Sequence, residues 1–417
     1  MAAIFNKHKI INDPVYGFIS ISDGLIFDLI EHPWFQRLRR IKQLGLTQLV
    51  YPGALHTRFH HALGAMHLMQ QAVETLILKG VPISKEETKG AMLAILLHDI
   101  GHGPYSHSLE NSIIHQTTHE DLTSIFFDRL NRETGGALKT AIDIFSNKHP
   151  KLFLHQMVAG QLDMDRLDYL ARDSFFTGVS EGVISTDRII KMLNVHNNEL
   201  ALEAKGIYSI EKFIIARRLM YWQVYFHKTV VAAEQMLIKI LCRARQLASQ
   251  QHTLFATPAF RDFLDNSFSR TDFEQNPSLL DQFAELDDTD ILASIKVWSK
   301  HPDRTLSLLC SGLINRKLPA VEIRNQPISA EELSRLNEET TKLLKIPLEE
   351  AHYFVYSGII SNNAYDARND TLKILHKNGE VVEISEFSEQ LSISVLSNMV
   401  SKYFLCRPKA IASFVQG

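Results

Sequence analysis

Cysteine is scarce: three residues in 417, at Cys242, Cys310 and Cys406, far apart and forming no CxxC pair. That excludes a disulfide scaffold and a thiolate metal site, and it fits a reducing compartment and a thiol-free mechanism. Long apolar runs are missing as well. No stretch approaches the ~20 residues a membrane helix needs, and the opening MAAIFNKHKIINDP has no continuous apolar segment of the signal-peptide kind. These absences predict a soluble, cytoplasmic protein with no membrane partner. Excess charge is absent too. A net charge of -3 and a pI near 6.7 exclude a surface that is a nucleic-acid footprint throughout, though not a local basic pocket. There is no internal repeat and no low-complexity tract.

What is present is ample apolar content, 45% against 22% charged, enough for a sizeable packed core. The length accommodates one large domain plus a smaller one, or two to three modest domains. Residues 1–24 read as irregular or weakly extended, with turn signals at Asp13-Pro14, Tyr16-Gly17 and Asp23-Gly24. From about residue 25 the pattern is helical. LIFDLIEHP ends at Pro33, WFQRLRRIKQLG stops at Gly45, and TRFHHALGAMHLMQQAVETLILKG ends at Gly80. Ser84 caps KEETKGAMLAILLHDIG, with Glu87 at capping-box spacing. Further helices are predicted over 119–146, broken at Gly135-Gly136, over 153–173, and from Phe213 to about Ala248. The region 251–310 reads as mixed and helical. The tail differs: VYSGIISNN and TLKILHKNGEVVEIS alternate with period two around Asn378-Gly379, a hairpin signal. The predicted fold is mainly α, with residues 1–320 as one helical domain and 321–417 as a smaller α+β region.

Four residues of metal-ligand type stand out: His61 in TRFHHALG, His98 and Asp99 in LLHDIGHGPYSH, and Asp165 in DMDRLDYLARD. Two imidazoles and two carboxylates suit one divalent transition ion, Fe, Mn, Ni, Co or Zn, rather than Ca. Such an ion lowers the pKa of bound water and polarises a phosphoryl oxygen. Neighbours on a helix lie ~100° apart, so His98 and Asp99 converge only near a helix end, which Gly101, Gly103 and Pro104 supply. Without the other motifs, the pair would read as a helix C-cap. Asp165, Tyr169 and Asp173, at i, i+4 and i+8, share one helical stripe; Asp168 and Arg172 project from another side and read as a surface ion pair. A second stripe, Arg217, Tyr221, Tyr225 and Lys228, offers cations and rings suited to a phosphorylated, ring-bearing ligand. Taken alone it is more often a half-buried helix with snorkelling cations. His60 and His67, like His8, His32, His149, His155 and His196, read as packing or surface residues.

The ordered motifs RLRRIKQLG, YPGALHTRFHHALG, LLHDIGHGPYSH, HED and DMDRLDYLARDSFFTG resemble those of the HD-domain phosphohydrolases. Among these the chain is similar to the deoxynucleoside triphosphate triphosphohydrolases, the branch of the vertebrate SAM- and HD-domain enzyme and the bacterial dGTPases. The resemblance covers about residues 10–245, and no SAM domain is evident. It implies the HD-domain helical fold, a metal held by His61, His98, Asp99 and Asp165, and cleavage of a dNTP to deoxynucleoside and inorganic triphosphate, with Mg as a candidate companion on the substrate phosphates. It also implies that Arg58, His102 and Arg217 hold phosphates, with Arg166 where relatives often have Lys. Tyr169 would pack on the deoxyribose, Asp173 and Gln43 would read the 3′-hydroxyl, and Tyr225 would approach the base. His107 would protonate the leaving 5′-oxygen, with His119 and Glu120 as a neighbouring acid/base or relay pair. Glu31, Gln36 and Arg39 fall where relatives bind an activating nucleotide between subunits, and a homo-oligomer, dimer or tetramer, is expected from the resemblance alone. Two features depart from the pattern: His60 stands where the vertebrate-like motif has Glu, and GLTQLVYPGA replaces a glycine- and tyrosine-rich stretch.

Two other readings compete. One is a different HD phosphohydrolase, acting on a nucleoside monophosphate, a cyclic dinucleotide or another phosphoester. The other is a non-enzymatic nucleotide or single-stranded nucleic-acid binder, for which Arg37, Arg39, Arg40 and Lys42 are the best support; nucleic acid is not the expected partner.

Overall fold

The computed structural model describes residues 9–110, 112–114, 117–362, 371–387 and 400–412, with only the backbone at Ser106, His107, Asn362, Phe387 and Ala412. Its core is built by helices α1 (Gly24–Glu31), α2 (Pro33–Gln36), α3 (Arg58–Leu78), α4 (Lys85–Leu97), α5 (Ser106–Glu110), α6 (His119–Glu133), α7 (Lys139–Phe145), α8 (Leu152–Ala159), α9 (Met164–Thr177), α10 (Thr186–Met192), α11 (Ile207–Met220) and α12 (Lys228–Ser249). Shorter helices follow: α13 (Pro258–Asp265), α14 (Arg270–Gln275), α15 (Pro277–Phe283), α16 (Asp288–Trp298) and α17 (Arg304–Ile314). The fold is mainly α, with a smaller strand-containing region towards the C-terminus. No helix among the described residues is long and apolar enough to cross a membrane.

Helix α3 packs on both α4 and α9, and these three helices carry the site. They approach closely because small residues face the contacts: Ala62, Gly64, Ala65, Ala91 and Ala94 are buried. The Ser84 box forms as the spacing predicts. Ser84 Oγ accepts the Glu87 N–H at 3.1 Å, and Glu87 Oε2 accepts the Ser84 N–H at 2.7 Å. The break at Gly135 and Gly136 also forms where expected, both residues having positive φ, 67° and 93°.

Several helices are shorter than their periodicity suggests. WFQRLRRIKQLG gives only α2 and one 3₁₀ turn over Arg37–Arg40. Arg37 turns inward to the carbonyls of Leu286 and Ile100, and Asp288 takes the Lys42 N–H at 3.0 Å, so tertiary partners replace helical ones. The 153–173 helix is two, α8 and α9, because Asp163 caps a new start by accepting the Arg166 N–H at 2.6 Å. The helix from Phe213 is interrupted by a π turn over Tyr221–Tyr225, and α12 restarts after His227, whose Nδ1 accepts the Thr229 N–H. The described part of the N-terminal stretch is extended, as one of the two expectations had it, and regular. It forms an antiparallel hairpin, β1 (Lys9–Asp13) with β2 (Gly17–Ile21), whose Ile19 and Ile21 enter the core.

The remaining strands are β3 (Leu193–His196), β4 (Glu199–Glu203), β5 (Ala320–Arg324), β6 (Tyr356–Asn362), β7 (Lys373–Leu375), β8 (Val381–Glu383) and β9 (Val400–Arg407). One sheet has the order β5-β9-β6, all antiparallel. The other, β3-β4-β7-β8, includes the hairpin expected at Asn378-Gly379, and β7 joins β4 in parallel. Ile374 is buried in the same core as α3 and α4.

Because α4 delivers His98, its cap bears on the site. Ser84→Ala removes the Oγ acceptor of the Glu87 N–H at an exposed position and lowers unfolding free energy by about 1 kcal/mol, measurable as a shift in the urea midpoint with unchanged slope.

Candidate metal centre

His61 stands one turn into α3, His98 at the C-cap of α4, Asp99 in the turn after it, and Asp165 in the first turn of α9. The structure brings all four together. His61 Nε2 lies 3.3 Å from His98 Nε2, 3.1 Å from Asp165 Oδ1 and 3.8 Å from Asp99 Oδ2. His98 Nε2 lies 3.2 Å from Asp99 Oδ1 and 3.6 Å from Asp165 Oδ1. Two donors each about 2.1 Å from one ion, at right angles to tetrahedral, are themselves about 3.0–3.4 Å apart. Three of the five separations, 3.1–3.3 Å, are those of neighbouring ligands on a single cation, and the other two, 3.6 and 3.8 Å, are slightly longer.

The tautomers agree. His98 Nδ1 faces the Ile95 carbonyl at 2.6 Å, and His61 Nδ1 faces Asp168 Oδ2 at 2.8 Å. Both partners only accept, so both Nδ1 atoms carry a proton and the two Nε2 atoms are left facing each other. Two such nitrogens at 3.3 Å, beside two carboxylates, call for positive charge at this point, a proton or a metal ion. Burial opposes charge on His61, yet the carboxylates of Asp165 and Asp168 outweigh it and hold its pKa at about 10. Burial likewise opposes charge on Asp165, and His61 and His98 outweigh it, holding that carboxyl well below the usual range. The donor set thus fits a divalent transition ion.

The turn after His98 is tightly held. Thr123 Oγ1 accepts the Gly101 N–H at 3.1 Å and donates to the His98 carbonyl at 3.1 Å. A Cβ at Gly101 would meet the His119 carbonyl oxygen at 2.3 Å, so the turn admits only glycine there. Tyr105 in the same loop has φ 49°, a strained left-handed backbone for a bulky residue.

Around the donors, Arg58 Nη1 hydrogen-bonds Asp99 Oδ2, and His102 Nε2 lies 3.2 Å from Asp99 Oδ1. Burial first, and Arg58 second, push the His102 pKa down to about 3, so this ring is neutral. Its ring stacks on His119, with centroids 3.9 Å apart. His119 pairs with Glu110 Oε1 at 2.9 Å rather than with Glu120. Glu120 is exposed, as the ~100° between consecutive helix residues requires when His119 points inward. The side chain of His107 lies outside the described residues.

On α9, Tyr169 and Asp173 follow Asp165 along the expected stripe. Asp173 accepts from Tyr225 Oη at 2.7 Å and faces His56 Nε2 at 2.7 Å. Gln43 lies in the neighbouring strand-like segment, its N–H bonded to the His56 carbonyl and its Oε1 buried without a protein partner. Tyr225 meets Tyr169 and Tyr221 edge-on, at 6.3 and 5.0 Å. Arg217 is buried, 6.0 Å from the Tyr221 ring. The break at His227 takes Lys228 out of this stripe and leaves it exposed. Arg166 pairs with Asp163 and with the Gly160 carbonyl.

Gln36 Oε1 accepts from Arg39 Nε at 2.8 Å on the surface, whereas Glu31 pairs with Lys9. The basic run cannot act as one open patch: Arg37 is fully buried, Arg40 pairs with Asp287, and Lys42 lies 3.7 Å from Asp288. A cavity of about 640 Å³ opens elsewhere, between α17 and the helix Ala330–Leu344, and shares no residue with the metal centre.

The roles of four residues escaped the sequence reading. Asp168 and Arg172 are buried, not a surface pair, and Asp168 holds His61. His56 is the buried partner of Asp173; an isolated histidine in ALHTRF gives no periodic signal. Glu110, three residues past His107, had only its spacing to mark it.

Family models match twice: the HD domain over residues 58–173 and the HD associated region over 184–261. A phosphohydrolase crystal structure from Bacteroides thetaiotaomicron superposes with TM-score 0.93 at 53% identity, over 96% of this chain and all of that one. The uncharacterized protein YwfO of Bacillus subtilis is 32% identical over 92% of this chain and 88% of its own length. The deoxynucleoside triphosphate triphosphohydrolase SAMHD1 homolog of Dictyostelium discoideum is 30% identical over 65% of this chain and 56% of its own length.

The Tyr225–Asp173 contact is testable without knowledge of a ligand. Tyr225→Phe leaves a buried carboxylate oxygen without its donor and lowers stability by roughly 1–3 kcal/mol, read by urea denaturation.

Proposed function

Because the chain belongs to the HD-domain family of metal-dependent phosphohydrolases, we propose that it hydrolyses deoxynucleoside triphosphates to deoxynucleoside and inorganic triphosphate. One observation carries this reading: Arg58 bonds Asp99, one of the four converging donors, and Tyr169 and Asp173 continue the stripe of α9 that begins with another, Asp165. In this reading His61, His98, Asp99 and Asp165 hold Fe, Mn, Ni, Co or Zn, which when bound would activate water and polarise a phosphoryl oxygen. Mg would accompany the substrate phosphates.

The chain's own groups then divide the work. Arg58, Arg166 and Arg217 neutralise phosphate charge, and neutral His102 offers a hydrogen bond without adding charge of its own. Tyr169 packs on the deoxyribose. Asp173, already oriented by Tyr225 and His56, reads the 3′-hydroxyl together with the partnerless Gln43 Oε1, and Tyr225 lies towards the base. Water oxygen bonds to the α-phosphorus while the bond from that phosphorus to O5′ breaks. The proton that O5′ needs comes from His107 or from His119, with Glu110 holding His119 in place. In the same reading residues 1–320 carry this chemistry and 321–417 form the smaller region. Glu31, Gln36 and Arg39 form a second nucleotide site, completed between subunits of a homo-oligomer.

The test is to incubate the metal-analysed protein with each dNTP, singly and in mixtures, and to identify the product. Inorganic triphosphate supports the reading, and orthophosphate points to a different phosphohydrolase. His98→Ala and Asp165→Ala are expected to lower the rate by about three orders of magnitude or more while leaving the circular dichroism of the fold intact. A metal-loaded, fully active variant of either kind would refute the ligand assignment. Activity seen only in mixtures would support the second nucleotide site.

A further inference from the structure

Behind His61 runs a buried chain of charge that supplies no ligand itself. His61 donates its Nδ1–H to Asp168 Oδ2 at 2.8 Å. Arg172 grips the same carboxylate with two nitrogens, Nε to Oδ2 and Nη2 to Oδ1, each at 2.9 Å. Its remaining nitrogen, Nη1, reaches Asp13 Oδ2 at 2.7 Å. The other oxygen of Asp13 accepts the N–H groups of Val15 and Tyr16 at 2.9 and 3.0 Å, so the carboxylate that ends the chain also shapes the β1–β2 turn. The Tyr16 ring lies 5.5 Å from the guanidinium. His61, Asp168 and Arg172 are 0% exposed and Asp13 is 6%.

Helix α3 is built around this chain. A Cβ at Gly64, one turn after His61, would sit 2.0 Å from Asp168 Oδ1 and 2.1 Å from Arg172 Nη2. The helix forgoes a side chain at the point where the ion pair passes. Stability alone does not account for such an arrangement, because well-packed apolar residues often replace buried ion pairs at no loss. Its geometry has a different outcome. Asp168 can only accept, which keeps a proton on Nδ1 of His61 and aims Nε2 at the other donors. A carboxylate partner also makes an imidazole a stronger ligand. Arg172 pins both oxygens of Asp168, and Asp13 balances Arg172, so that the charge behind the imidazole stays negative by one unit.

We propose that Asp13, Asp168 and Arg172, with Gly64 making room for them, are positioning residues that set how tightly His61 holds the metal, and that the N-terminal hairpin is thereby a structural part of the metal centre. The inference rests on the reading of His61 as a metal ligand and is independent of the substrate.

The test titrates the full-length apoprotein with Co(II), following its visible absorption, for wild type, Asp13→Asn, Gly64→Ala and the control Leu309→Ala, a buried residue of α17 outside the network. Melting curves come first, and titrations are run where all four are folded. Asp13→Asn is expected to weaken Co(II) binding about 10-fold and Gly64→Ala up to about 100-fold, both with an altered absorption band. Leu309→Ala keeps the wild-type affinity and band despite its lower melting temperature. Asp13→Asn lies furthest from the ion and retains an oxygen for the turn, so it decides the matter if Gly64→Ala does not fold. Wild-type affinity and band in Asp13→Asn would overturn the proposal, as would a loss no greater than that of the control. A wild-type chain that takes up no Co(II) would instead sink the assignment of His61 as a ligand, and this inference with it.

Discussion

Two imidazole nitrogens face each other at 3.3 Å in the interior, beside two carboxylates. Much of the architecture around them follows from making that arrangement tolerable. Like partial charges at this range repel strongly where the dielectric is low, so their directions must be fixed and their charge answered. Fixing falls to acceptors on the far side of each ring, the Ile95 carbonyl and Asp168. Closeness falls to the small residues on α3 and α4, which let three helices bring side chains of distant sequence to within hydrogen-bonding range. A bulkier seam would hold the donors apart and leave no site.

The constraint spreads outward in layers. Asp168 needs Arg172, Arg172 needs Asp13, and Asp13 is presented by the hairpin that precedes the first helix in sequence. On the other side Thr123 ties the turn after His98 to α6, whose first residue, His119, stacks on His102. Arg37 closes the same turn from behind: its guanidinium donates to the Ile100 carbonyl at 2.8 Å and to Leu286 at 3.2 Å, lies between the Phe126 and Phe283 rings, and is pushed down to a pKa of about 9 by burial. A buried cation that, among the described residues, hydrogen-bonds to carbonyls and lies against rings is an expensive way to pack a core. Its place beside the metal-bearing turn explains its use.

Legibility followed physical locality. The metal-ligand types and the helix end that lets His98 and Asp99 converge could be read directly, because both depend on a few adjacent residues. So could the Ser84 box, the Gly135-Gly136 break and the Asn378-Gly379 hairpin. Tertiary decisions were hidden. Asp168 and Arg172 at i, i+4 look the same in sequence whether they face water or the core, and only Gly64, far off on α3, one turn after His61, marks the difference. Asp163 looked like part of a continuous helix because a capping carboxylate and an interior one are the same letter. The π turn at Tyr221–Tyr225 preserves the apolar pattern on both sides while shifting its phase, which is why Lys228 appeared to share a face with Arg217.

The same distinction separates what the family resemblance could carry from what it could not. A motif transfers a residue's identity, and with it the chemistry of its side chain. It does not transfer a partner. His119 came with the motif, but whether Glu110 or Glu120 completes it depends on the direction in which α6 leaves its cap. Thr118 sets that direction: its side chain accepts the Asp121 N–H, starting the helix at His119 and turning that residue inward. The next residue must then face solvent, and Glu110, arriving from α5, is the carboxylate left within reach. Helix capping thus chooses which acid meets the histidine, and a rule about backbone N–H groups decides a question about proton transfer.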